Sequence, residues 1–332
     1  MELSNFNRKY ELLIGLPPRM VPRSRSEYIN QSYGSLFSSN NIVPTDVVFD
    51  YRKEDRAVLI NDLHFEADIK ALGDKTNNQG SNATIKIFNL SPETLQIVSQ
   101  KNAKIILKAA YEGYPELPII YTGQVKECFT EKEGVNSITT LQCTDGYTIT
   151  SGLKVSKSFP PVTAASEIVE DLVGALVANG LSKGRVIVDE PSFPINKIPS
   201  LTFLPRGWSY TGYVNNALDS IASEFGYVWY ITNSVVYFHP REYNRMFGAI
   251  SLTTELIHSI RRKQDATTTS SINSETKKGV TIITDLDGRI DLSKRIVIED
   301  GDYAGTYKVT QVEHKLSYRG GDWISVIECT QV

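Results

Sequence analysis

Apolar and polar residues alternate along much of this chain with a period of two, the spacing of strands that bury one face. In Thr84-Ile85-Lys86-Ile87-Phe88 the two isoleucines share one face, and Thr84, Lys86 and Phe88 the other. This strand is expected to end near Asn89. Ser91 then caps a helix of about two turns, with Pro92 presetting φ and Glu93 facing the positive helix end. A strand over residues 103–111 stops at Glu112-Gly113-Tyr114-Pro115, and residues 121–125 form another. Upstream, residues 8–15 read as an opening strand closed by Gly15 and Pro17-Pro18, which cannot continue a central ladder. Residues 58–72 resume strand character, with Leu63, Phe65, Ala67, Ile69 and Ala71 on one face. Residues 125–130 and 137–144 suggest a hairpin around Glu131-Lys132-Glu133-Gly134. A mainly β domain over 1–155 follows from this pattern.

The period then changes. Over 164–179, Ile168, Leu172 and Leu176 recur every fourth residue beside Val169, Val173 and Val177, with Thr163 placed as N-cap and Gly180 just past the C-terminus. A second helix over 213–225 carries Val214, Ala217, Leu218, Ile221, Ala222 and Phe225 on its buried stripe and ends at Gly226. Residues 227–231 and 235–239 flank Thr232-Asn233-Ser234 as a tight hairpin. Helices and hairpin make an α+β module at 156–245. The segment 246–332 returns to β, with strands at 280–284, 295–299, 305–316 and 323–330. Within the third of these, Lys308, Thr310, Val312 and His314 alternate with Val309, Gln311 and Glu313, which defines no simple two-sided face.

One stretch has no period. Residues 19–41 combine Arg19, Arg23 and Arg25 with Tyr28, Tyr33 and Phe37 among many serines. A structureless segment of that length inside a domain is a mobile loop or an arm that orders against a partner, so these six residues are the candidate partner interface.

Composition narrows the classes. Of 332 residues, 41% are hydrophobic and 22% charged, the balance of a folded chain. The sequence shows no apolar run of about 20 residues and no secretion signal at its first residues, so stable membrane insertion is not expected and folding in the cytoplasm of the producing cell is. A net charge of -3 argues against a dedicated nucleic-acid binder. The basic runs Arg261-Arg262-Lys263 and Lys277-Lys278 flank a polar stretch and read as a solvated loop. Cys128, Cys143 and Cys329 lie far apart without paired spacing and read as reduced core residues.

No catalytic pattern emerges. Around Ser209, Gly207 to Gly212 lacks the second glycine of a nucleophile elbow, and Ser209 is expected at a helix entry. His64, His239, His258 and His314 have no metal-ligand spacing. The run Asp285 to Asp291 departs from a calcium loop in its glycine position and reads as a turn. Phosphate-cradling glycine motifs are missing, so neither cofactor nor metal is expected. Trp208, Trp229 and Trp323 suit a core or an interface better than a sugar platform.

In order along the chain, Ile85-Lys86-Ile87-Phe88-Asn89-Leu90-Ser91-Pro92-Glu93, residues 104–111, Tyr121-Thr122-Gly123-Gln124-Val125, residues 305–314 and Gly321-Asp322-Trp323 resemble baseplate hub proteins of phage tails, especially contractile tails and related injection machines. That resemblance implies a mainly β fold with an α+β insertion: two tube-like β-barrel or sandwich domains, over 1–155 and 246–332, plus the small helix–hairpin module. It implies a structural virion protein and not an enzyme, a homotrimer whose pseudo-sixfold ring adapts the sixfold tail tube to the threefold central spike. Expected partners are the tail tube protein, the central spike protein, other baseplate proteins and a tape measure protein, with DNA only as passing cargo. The expected location is the tail baseplate of a virion. The alternatives are a cell-wall-degrading tail protein and a receptor- or sugar-binding one.

Overall fold

The computed structural model describes residues 7–15, 19–20, 49–50, 57–72, 80–100, 103–112, 116–188, 203–204, 206–240, 248–263, 279–299 and 301–331. The first part holds β1 (Arg8–Gly15), β2 (Arg19–Met20), β3 (Phe49–Asp50), β4 (Val58–Ile60), β5 (Phe65–Leu72), β6 (Asn82–Phe88), helix α1 (Pro92–Val98), β7 (Lys104–Tyr111), β8 (Ile119–Glu133) and β9 (Asn136–Thr144). The middle holds α2 (Tyr147–Gly152), β10 (Lys154–Phe159), β11 (Thr163–Ala164), α3 (Ala165–Ala178), β12 (Ser182–Val186), β13 (Phe203–Leu204), β14 (Trp208–Tyr213), α4 (Val214–Phe225), β15 (Tyr227–Thr232) and β16 (Val235–Pro240). The last part holds β17 (Ala249–Leu252), β18 (Ile257–Lys263), β19 (Gly279–Asp285), β20 (Arg295–Ile298), β21 (Gly305–Ser317) and β22 (Trp323–Gln331). The fold is mainly β with few helices.

One sheet runs through both β-rich parts in the order β18-β19-β22-β21-β5-β6-β9-β8-β7-β1-β4, with β20 on β21 and β17 on β20. The first eight strands of this order contain the same arrangement twice. Two antiparallel hairpins, β18/β19 and β21/β22, join through β19 and β22; likewise β5/β6 and β8/β9 join through β6 and β9. Antiparallel pairing of β21 with β5, from Gln311 opposite Leu72 to Ser317 opposite Glu66, fuses the two four-stranded units.

Side-chain alternation sets the faces. In β6, Ala83, Ile85 and Ile87 are buried while Asn82, Thr84 and Lys86 are exposed, with Phe88 half-buried. The core beneath gathers Leu12 and Ile14 of β1, Phe65 and Ile69 of β5, Ile105 and Leu107 of β7 and Leu141 of β9, joined by Leu316 and Trp323 from the last part. A second core lies under α3, α4 and the β15/β16 hairpin, and a third under β17 to β22. The ambiguous strand is explained by a bulge. Tyr307 and Val309 point inward, the register with β22 shifts between Val309 and Gln311, and thereafter Val312, His314 and Leu316 are the inward residues.

Local signals decide several boundaries. Ser91 accepts the Thr94 amide at 3.2 Å and Pro92 opens α1, as the capping pattern requires. Thr163 is not a cap: its hydroxyl donates to the Pro160 carbonyl at 2.7 Å, and α3 begins after Ala164 with no side-chain cap. Ser209 does not enter a helix either. It lies in β14 opposite Ser158, and α4 starts at Val214. The expected run 58–72 breaks into β4 and β5, whereas residues 121–130 form part of one continuous β8. Arg261-Arg262-Lys263 belong to β18 and not to a loop, because the strand pairs them with Thr281, Val280 and Gly279.

The α+β module is fixed to the sheet through Asp145, at the end of β9 and 1% exposed. Its carboxylate accepts the Ser234 amide at 2.7 Å and the Ser234 hydroxyl at 3.2 Å. Ser234 and Asn233 form the two-residue β15/β16 turn with φ of 62° and 51°, the left-handed geometry of a tight hairpin. Burial pushes the Asp145 carboxyl up to about 7, against the opposing pull of Ser234, Lys104 and the Gly146 amide.

Candidate assembly interface

The β21/β5 junction builds a charged strip on the face opposite the cores. Glu313 lies opposite Lys70, with Nζ to Oε2 at 3.8 Å, and Lys315 lies opposite Asp68. Lys315 Nζ also reaches Glu313 Oε1 at 3.5 Å. Burial, and next the nearby Glu313 charge, raise the Asp68 carboxyl above the usual range. The strip continues onto β6 and β9, where Glu66 faces Lys86, Lys86 faces Thr140, and Thr84 faces Gln142. Thr84 and Lys86 thus lie on an open polar face, flanked by half-buried Phe88 and Ile138.

The two ends of the eight-stranded span are open among the described residues. Strand β18 pairs only with β19. At the other end, β7 pairs with β8 only as far as Gln124, so Glu127 to Glu133 pair with β9 on one side and leave the other edge free. On this free stretch Glu127, Phe129, Glu131 and Glu133 are exposed, with Phe129 40% exposed, and Val135 at the hairpin tip is 99% exposed. Unpaired strand edges are ready templates for another chain.

The sequence-predicted interface falls almost wholly outside the described residues. Arg19 contributes backbone to β2, opposite Asp50, while Arg23, Arg25, Tyr28, Tyr33 and Phe37 lie outside the described residues. The sequence reading missed both open edges, because edge status depends on which strands pair and not on residue pattern.

Two constellations of reactive residue types come together only in three dimensions. His314 Nδ1 is 2.8 Å from Ser325 Oγ, which also accepts the Asp287 amide. Ser325 is fully buried, and the Asp287 carboxylate is engaged by Arg289 at 2.7 Å and not by the imidazole. Burial holds the His314 imidazole down to about 4, so it stays neutral in the sheet interior. This is a buried, satisfied polar pair. The second cluster sits at the seam: Tyr111 Oη approaches Asp285 Oδ1 at 3.0 Å and the Trp323 carbonyl at 2.9 Å, and His258 Nε2 approaches the same Asp285 oxygen at 2.9 Å. Arg8 adds a bond to the Gly321 carbonyl at 3.0 Å. These contacts tie β1 and β7 to β19 and β22. Among the described residues no group of three or more metal-ligating side chains converges, and no helix is long and apolar enough to cross a membrane.

Comparison with solved structures matches this architecture. The chain superposes on the tail protein from Neisseria meningitidis MC58 with a TM-score of 0.55 at 8% identity, over 82% of this chain and 94% of that one. The chain has the fold of a phage tail protein. It superposes likewise on the 43 kDa tail protein of prophage MuSo2 from Shewanella oneidensis, with a TM-score of 0.53, 8% identity, and coverage of 82% and 94%. An E. coli component of the type VI secretion system, itself structurally similar to T4 bacteriophage tail proteins gp27 and gp5, matches with a TM-score of 0.52 at 9% identity over 82% of this chain and 74% of that one. No family model and no curated protein sequence matches the chain. At identities this low the likeness is one of fold.

Proposed function

We propose that this chain is a baseplate hub of a phage tail or related injection machine, a structural homotrimer that adapts a sixfold tail tube to a threefold central spike. The observation that carries the reading is the doubled four-stranded unit in one continuous sheet, with the β18 edge and the distal part of the β8 edge open among the described residues. Each chain then offers two similar surfaces, and three chains offer six, while the assembly itself needs only closed threefold symmetry. Joining each chain's ends as β21 joins β5 closes a barrel of about twenty-four strands, roughly 40 Å across at ordinary strand spacing. The polar face with Lys70, Thr84, Lys86 and Glu313 lines its bore, and the three apolar cores lie outside it. Acidic and basic groups alternate on that face, which suits passage of DNA as cargo better than its retention.

The sixfold side of such a ring meets the tail tube protein and the threefold side the central spike. Other baseplate proteins and the tape measure complete its surroundings in the virion tail. Sedimentation of the purified chain tests the oligomer, and images of the particle test its place. A threefold ring on the tube axis is the expected result. A chain that stays monomeric at high concentration and sits at the tail periphery overturns the reading.

A further inference from the structure

The doubled unit specifies more than a ring, because the junction inside one chain is a template for the junction between two. Its strands can be equated position by position. In β8 against β9, Gln124 lies opposite Thr144 and Val125 opposite Cys143, followed by a register shift before Glu127 opposite Gln142. In β21 against β22, Lys308 lies opposite Thr330 and Val309 opposite Cys329, followed by a register shift before Gln311 opposite Glu328. The bulge and both partners coincide. Leu141-Gln142-Cys143-Thr144 therefore corresponds to Ile327-Glu328-Cys329-Thr330. Thr144 pairs onward with Asn82 and Thr330 with Gly279, which equates Thr84 with Thr281 and Ile85 with Ile282. Asn82 pairs with Lys70 and Gly279 with Lys263, which equates β5 with β18 and Asp68 with Arg261.

Within the chain, β21 joins β5 with Lys315 opposite Asp68 and Ser317 opposite Glu66. Transposed through these correspondences, Lys315 becomes Glu131, Asp68 becomes Arg261, Ser317 becomes Glu133 and Glu66 becomes Ser259. We infer that the free edge of β8 in one copy pairs antiparallel with β18 of a second copy, in the register that sets Glu131 opposite Arg261. This rests on the ring reading and adds to it an edge, a direction and a register.

Three observations support that occupant. Both edges are open among the described residues. Glu131 and Arg261 are both exposed. They lie on the same polar face, since Glu131 is opposite Ile138 beside Phe88 and Arg261 is opposite Thr281. The transposed pair also keeps opposite charges while inverting their order, carboxylate on β8 and guanidinium on β18. That inversion disfavours a β8 edge pairing with itself, where Glu131 would meet like charge. Charged residues on edges also serve simply to keep strands apart, and that is the competing account of these side chains.

Directly opposed residues of an antiparallel pair have Cα atoms about 4.5–5.5 Å apart, within the span a disulfide bridges. The test is the full chain carrying Cys128→Ser, Glu131→Cys and Arg261→Cys, oxidised under conditions where the parent assembles and resolved on non-reducing gels. A Glu127→Cys, Arg261→Cys chain is the off-register control. Linked dimers and trimers from the first and not the second are expected. A parent that sediments as a trimer while neither pair links, or while the control links better, overturns the register and leaves the ring standing. A monomeric parent overturns both. Charge reversal supplies a second readout: Glu131→Arg or Arg261→Glu alone is expected to raise the concentration for assembly by roughly tenfold or more, and the two together to restore it. Failure of the double reversal to restore assembly, with both singles folded by circular dichroism, counts against the pairing.

Discussion

Asp145 makes the attachment of the α+β module a titratable property. An acid that ionises near pH 7 when folded and near 4 when unfolded keeps its proton across that window only in the folded chain, so stability falls as pH rises through it and levels off above it. From pH 5 to pH 7 this amounts to about 3 kcal/mol, two pH units at about 1.4 kcal/mol each. The parent's own profile does not display this cleanly. His239 and His314 are held neutral, each lowered to about 4 by burial, and they act in the opposite sense: the unfolded chain takes up protons below about 6.5, so their contribution is lost as pH falls. The diagnostic is therefore a difference. Asp145→Asn removes the titration and preserves the contacts, its amide oxygen taking the Ser234 N–H and its NH2 donating to Ser234 Oγ. Denaturant midpoints for parent and variant at pH 5, 6, 7 and 8 are expected to diverge in the variant's favour by about 3 kcal/mol over the series. A difference that stays within about 1 kcal/mol at every pH refutes the reasoning. It would mean that the Ser234 donors outweigh burial and keep the carboxylate ionised. Asp145→Ala separates the contact from the charge, since it takes the acceptor from the half-buried Ser234 amide at a cost of about 1 kcal/mol at all pH values.

Other substitutions probe individual elements. Trp323→Ala removes a side chain 1% exposed, packed 6.1 Å from the Phe65 ring between the two β units, and should cost about 3–5 kcal/mol by denaturation. Ser91→Ala removes the α1 cap and should cost about 1 kcal/mol, detectable as a lower unfolding midpoint. Val162 holds a φ of 68° and is 64% exposed, so Val162→Gly should stabilise the turn by about 1 kcal/mol in the same assay. A thiol reagent should label Cys128 alone in the native chain, and Cys143 and Cys329 only after denaturant opens the sheet, read by mass spectrometry.

Strands whose faces differ were legible in the sequence. β1 and β6, the helix α4 with its Gly226 terminus, and the β15/β16 hairpin all follow from alternation, helical spacing and turn residues. Three kinds of feature were not. Thr163 satisfied the capping rule in one dimension but spent its hydroxyl on Pro160. Strand β18 read as a loop because its basic end lies on an open edge and lacks an alternating pattern. The irregular stretch in β21 concealed a bulge, which moves the inward phase by one residue and makes any single two-residue rule fail across it.

The resemblance implied two tube-like domains, but their strand-by-strand correspondence was not legible in the sequence, and the cysteines mark it. Cys143 and Cys329 seemed unrelated because no spacing pairs them, yet both lie opposite the valine just before the bulge of a neighbouring strand. Both are buried at equivalent sites, where a small apolar side chain fits under a bulged strand. Little sequence survives around them beyond Gln-Cys-Thr against Glu-Cys-Thr, since the two units pack different neighbours: helix α1 and β1 on one side, β17 and β20 on the other. What persists is the backbone register and the position of the bulge. Symmetry in such a ring therefore needs to be conserved only in the ladder, which leaves the side chains on the two units free to diverge toward six similar but not identical contacts.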